Sequence, residues 1–144
     1  MTITFCGHGK LNYNENDKNK LYNVVEKLIL CGADEFLLGG YGNFDIISAE
    51  VVKSLKIKYK NINSVLVIPY IGRDFNHSLY DCSEYPPIEN VPKRLAIIKR
   101  NEWMIDKSDV LVAYVINHFG GAVKTLEYAK RKNKKIINLA VKDE

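Results

Sequence analysis

The side chains of this chain best placed to do chemistry lie beside glycine-rich turns. The segment Gly120-Gly121-Ala122-Val123-Lys124-Thr125-Leu126-Glu127 follows the apolar run Val110–Val115. Glycines there let a backbone approach a ligand, and a helix opening after them points unpaired N–H groups and the positive end of its dipole at an anion. Lys124 at that helix start is unfavourable for the dipole unless an anion compensates, so Lys124 and Thr125 are candidate phosphate contacts. Glu127 lies about two turns further on, where its carboxylate can hold ribose hydroxyls or face a developing cation. The competing reading is an exposed helix glutamate. Gly39-Gly40-Tyr41-Gly42-Asn43 and Gly7-His8-Gly9 follow two other apolar runs. Gly7, Gly40 and Gly42 offer backbone contacts, and Asp45 reads as an N-cap that can also meet a ribose. His8 has no partner acid nearby in sequence, so it reads as a ligand contact and not as a general base. Asn117, beside Gly120 and Gly121, completes the set. Three such turns predict a pocket for a nucleotide or a nucleotide-derived small molecule.

Turns of this kind make one site only if strands deliver them to one edge. Thr2–Cys6, Glu35–Leu38, Ser64–Ile71, Val110–Val115 and Lys135–Leu139 read as strands. Between them Asn16–Leu30 carries Leu21, Val24, Val25 and Leu28 at helical spacing and stops at Gly32. Asp45 opens a helix with Ile47, Val51 and Leu55 on one face, and Leu95–Lys107 and Thr125–Arg131 supply two more. This alternation predicts one α/β domain over residues 1–144, a Rossmann-like doubly wound, mainly parallel sheet of about five strands. Ligands of such sheets sit beyond the carboxyl ends of the strands, where strand order reverses. With the first and fourth strands adjacent there, Gly7-His8-Gly9 faces Asn117–Gly121. Gly72–Val91, holding Arg73, Asp74, His77, Tyr80 and Asp81, is long for a connection; it reads as a binding loop or as a surface excursion packed on its own aromatics.

Composition excludes more than it selects. Of the 144 residues 47% are hydrophobic and 26% charged, an ordinary globular balance, and the net charge is only +4. The basic cluster Lys130-Arg131-Lys132 with Lys134-Lys135 reads as a solvated helix end, which disfavours a nucleic-acid partner. Cys6, Cys31 and Cys82 make neither a CxxC pair nor an even framework, so no metal site and no cofactor is expected; Cys6 and Cys31 read as small buried residues. No apolar run approaches the ~20 residues that span a bilayer, and no cationic-then-apolar leader is evident, so the expectation is a cytoplasmic protein without a membrane partner.

The order Thr4-Phe5-Cys6-Gly7-His8, Gly39-Gly40-Tyr41-Gly42, Arg94–Trp103 and Gly120-Gly121 with Glu127 resembles the SLOG superfamily of Rossmann-like nucleotide-binding proteins. That superfamily includes the LOG phosphoribohydrolases and the corresponding domain of DNA-processing protein A, and the resemblance is nearest to a branch of small bacterial proteins. It covers nearly the whole chain. In LOG enzymes a helix arginine and the glutamate of a PGGxGTxxE motif hydrolyse the N-glycosidic bond of nucleoside 5′-monophosphates; Arg100 and Glu127 match them, as candidate catalytic residues. Phe119 stands for the motif's proline, Val123 for its third glycine and Lys124 for its threonine. Three functions follow: binding without turnover, N-glycosidase activity, and single-stranded DNA handling. The altered turn favours binding, the modest charge weakens the third, and a homo-oligomer is compatible with the resemblance.

Overall fold

The computed structural model describes residues 1–70, 77–88 and 90–140. Its elements run β1 (Thr2–Gly7), α1 (Glu15–Leu30), β2 (Glu35–Leu38), α2 (Asn43–Lys58), β3 (Asn63–Val67), β4 (Cys82–Glu84), α3 (Lys93–Lys107), β5 (Val110–Tyr114), α4 (Gly121–Arg131) and β6 (Lys135–Asn138), with a 3-10 turn at His77–Leu79. The strands form one sheet in the order β4-β3-β2-β1-β5-β6, and every pairing is parallel.

Strand alternation sorts side chains onto the two faces. Ile3, Phe5, Phe36, Leu38, Val110 and Val112 pack with Leu21, Val25, Val52 and Leu55 of α1 and α2. On the other face Cys6, Leu111 and Ala113 meet Ile105 of α3 and Leu126 and Ala129 of α4, while Leu37, Val65 and Val67 meet Met104. Burying each large aliphatic or Phe side chain contributes about 1.5–3 kcal/mol, so this three-layer packing fixes the sheet.

The sheet has six strands, not five. The additional strand, β4, lies inside the long connection after β3, pairing Val65–Val67 with Cys82–Glu84. All its residues are exposed, so Cys-Ser-Glu carries no apolar alternation to betray it; only an open sheet edge next to β3 recruits it. Of the same connection, Arg73 and Asp74 lie outside the described residues, and β3 is described as ending at Val67, short of the Ile71 expected. Helix α1 opens on a capping box in which Asn14 Oδ1 accepts from Asp17 N–H at 2.8 Å and Asn14 N–H donates to Asp17 Oδ2 at 3.1 Å. Cys31 is its C-cap and exposed, unlike the buried residue expected, because it lies past the last turn that faces the core.

Candidate functional site

Because all strands run parallel, the turns after β1, β2 and β5 leave the same edge, and β1 pairs with β2 on one side and β5 on the other. Connections diverge at this β1/β5 boundary, and a cavity of about 320 Å³ opens there. Gly7, Gly9 and Lys10 form one wall, Tyr41, Gly42 and Asp45 the second, Arg100 and Asn101 of α3 the third, and Gly121, Ala122 and Thr125 of α4 the fourth.

Glycine is required where the walls touch. A Cβ at Gly7 would enter the Phe44 ring, and one at Gly42 would meet Gly9 Cα. Gly120, the residue before α4, has φ +110°, a left-handed conformation that other residues rarely adopt. The first N–H groups after Gly120 have no intrahelical acceptor, and two of their residues, Gly121 and Ala122, line the cavity. Behind the first loop, Tyr13 donates to the His8 carbonyl at 2.8 Å, and its ring stands edge-on to Tyr114 at 5.0 Å.

A buried arginine organises the opposite wall. Arg100 is 1% exposed; its Nη1 donates to the carbonyls of Gly39 (2.8 Å) and Val67 (2.9 Å), and its Nε donates to Asn101 Oδ1 at 2.9 Å. It thereby satisfies carbonyls at the ends of β2 and β3. Its guanidinium also lies over the Tyr41 ring, 5.6 Å from the centroid. Asp45 approaches from α2. It sits at the third helical position and not at the N-cap as expected; Gly42 is the N-cap, and the close approach of Gly9 leaves no room there for a side chain. Asp45 Oδ2 instead reaches back to accept from Tyr41 N–H at 3.1 Å and Gly42 N–H at 3.5 Å. Desolvation pushes the Asp45 carboxyl above its ordinary value, and the Arg100 charge and the Tyr41 N–H pull it back only in part. A Cβ on Gly39 would stand 3.1 Å from Arg100 Nη2 and 3.2 Å from Asp45 Oδ2, so the turn, acid and base interlock around that glycine. Burial likewise pushes the Cys6 thiol, on the cavity floor, far up from its usual range.

Of the residues expected at the site, Gly7, Gly42, Asp45, Arg100, Gly121 and Thr125 converge on this cavity. His8 serves the wall: its Nε2 accepts the N–H groups of Ile116 (2.9 Å) and Asn117 (3.2 Å), tying the β5 turn to the β1 turn. Gly40, at φ +70°, shapes the β2 turn. Lys124 and Glu127 are exposed and line a neighbouring groove between α3 and α4 with Ile98, Glu102 and Arg131. The two hollows share Ile97, Asn101, Gly121 and Thr125. Sequence reasoning missed Lys10, Tyr41 and Asn101; Lys10 directly follows Gly7-His8-Gly9, a position that marks it in retrospect. Phe119 is 80% exposed. Among the described residues no His, Cys, Asp and Glu cluster fit for a metal occurs, and no helix is long and apolar enough to cross a membrane.

A parallel sheet with helices on both faces and a glycine-walled crevice at the β1/β5 boundary makes a Rossmann-like fold. No protein-family model matches the sequence, and no curated protein matches it; solved structures do. DNA processing protein A from Helicobacter pylori, reported for its single-stranded DNA binding mode, superposes with a TM-score of 0.64 at 17% identity over 94% of this chain. The chain spans 63% of that structure. The LOG-family protein TM1055 gives a TM-score of 0.65 at 11% identity, covering 94% of this chain and 71% of its own. The molybdenum cofactor carrier protein from Chlamydomonas reinhardtii gives 0.60 at 16% identity, covering 94% and 74%. All three are SLOG-type Rossmann-like folds, so the resemblance seen in the turns holds for the fold. The expectation against nucleic acid gains no support, since one of these folds belongs to a protein that binds single-stranded DNA.

Proposed function

We propose that the chain binds a nucleotide or nucleotide-derived small molecule in the β1/β5 cavity without turning it over. The observation that carries this reading is the cavity's wall chemistry. Glycine backbone on two sides, the N-terminus of α4 and the Lys10 side chain on one rim favour a phosphate, and Tyr41 offers a ring for a base. A volume of about 320 Å³ suits a ligand of mononucleotide scale. Fold likeness to a molybdenum cofactor carrier and to a protein that binds single-stranded DNA supports a ligand-binding role without choosing the ligand.

The second reading, an N-glycosidase acting on nucleoside monophosphates, would use Arg100 and Glu127 by resemblance. Arg100 is committed to the carbonyls of Gly39 and Val67, and Glu127 lines the neighbouring groove. That separation favours binding. Calorimetry across nucleoside mono-, di- and triphosphates and oligothymidylate, with a parallel assay for released base, tests both. Saturable binding of a mononucleotide, weakened roughly tenfold by Lys10→Glu and accompanied by no released base, is the expected result. Steady base release abolished by Glu127→Gln establishes the hydrolase, and binding of the oligonucleotide alone establishes single-stranded DNA handling.

A further inference from the structure

A third hollow, of about 340 Å³, lies at the far side of the sheet, between the C-terminal half of α2, the 3-10 turn and β3. Val52, Ile57, Leu79 and Tyr80 give it apolar walls, and Lys53, Lys56 and Lys60 stand around it. Lys53 Nζ is held by the Ser78 carbonyl at 3.0 Å, and Lys56 pairs with Asp81 at 2.8 Å. Lys60 is exposed and makes no ion pair among the described residues. Three cations against one carboxylate leave the rim positive.

The interior supplies an independent sign of a ligand. Ser64 is 3% exposed, and its Oγ has no hydrogen-bond partner among the described residues. Its neighbour Val65 faces α3, so alternation along β3 turns Ser64 to the α2 face, where this hollow lies. A buried unpaired hydroxyl is destabilising, and alanine would fill the same place without that cost.

We propose that this hollow is a second binding site, for a small organic anion with an aromatic or aliphatic body: its carboxylate meets the lysine rim, its body lies on Val52 and Leu79, and a polar atom at its inner end pairs with Ser64. The site is separate from the β1/β5 cavity; the two share no lining residue. The probe is 4-hydroxybenzoate, with inorganic phosphate as comparison, followed through the Val52 and Leu79 methyl signals by NMR. Saturable shifts are expected with 4-hydroxybenzoate and not with phosphate. Lys60→Glu, a surface change, should weaken binding roughly tenfold, since it replaces a charge-assisted contact by repulsion. Ser64→Ala should raise the thermal midpoint of the free protein and weaken binding about fivefold, the worth of one neutral hydrogen bond. No saturable shift in the wild type, equal shifts with phosphate, or unchanged affinity in Ser64→Ala each overturns the proposal.

Discussion

Replacing Arg100 by Met tests whether one buried guanidinium holds the site wall together. Methionine approximates the aliphatic stem, so the loss is mainly polar. The substitution removes two donations to buried carbonyls, Gly39 O at 2.8 Å and Val67 O at 2.9 Å, and the charge that offsets Asp45. Each orphaned carbonyl costs about 1–3 kcal/mol, and breaking a buried charge relationship reaches about 3–5 kcal/mol in all. For a domain with a total of about 5–15 kcal/mol this is severe. The loss should also depend on pH. In the folded protein the Asp45 carboxyl is already raised above 3.8, so the native state binds protons more readily than the unfolded one, and the Asp45 contribution to stability falls as pH rises through that window. Without Arg100 the carboxyl rises further and the window widens. Urea unfolding of wild type and variant at about pH 5 and about pH 8 should therefore show a larger stability difference at the higher pH. A loss below about 1 kcal/mol, or one equal at both pH values, would refute the claim that Arg100 and Asp45 are coupled supports of the turn.

Gly39→Ala should cost about 1–3 kcal/mol by thermal unfolding, because its Cβ stands 3.1 Å from the Arg100 guanidinium and 3.2 Å from Asp45, both held by other bonds. Gly7→Ala drives a methyl into the Phe44 ring; beyond a similar stability loss, it should narrow the cavity and lower nucleotide affinity measured by calorimetry. His8→Phe leaves the N–H groups of Ile116 and Asn117 without their acceptor; amide exchange at those two positions should quicken about five- to thirtyfold, matching about 1–2 kcal/mol of local stability, while α1 amides stay unchanged. Glu127→Gln should leave nucleotide affinity within about twofold, since an exposed groove residue outside the cavity contributes little; a larger change would return Glu127 to the site.

The sequence alone determined the layered architecture and the edge at which the turns gather. Apolar runs alternating with helical periodicity leave few topologies, and parallel strands must all end on one side. Gly7 and Gly120 were legible as turn positions because each follows an apolar run; the Phe44 contact and the +110° φ that glycine accommodates belong to the tertiary structure. Tertiary structure decided the rest. β4 carries no pattern of its own and exists because β3 offers an open edge. Arg100 looks like one more cation on a charged helix; the carbonyls at the ends of β2 and β3, together with Tyr41 and Asp45, give it a reason to be buried. Glu127 and Lys124 share a motif with Gly121, yet the rotation of α4 about its axis sends them into the neighbouring groove while Gly121 and Thr125 face the cavity. Spacing along a chain fixes which residues share a helix; the rotation of that helix against its neighbours, set by packing of Leu126 and Ala129 on the sheet, fixes which of them meet the ligand.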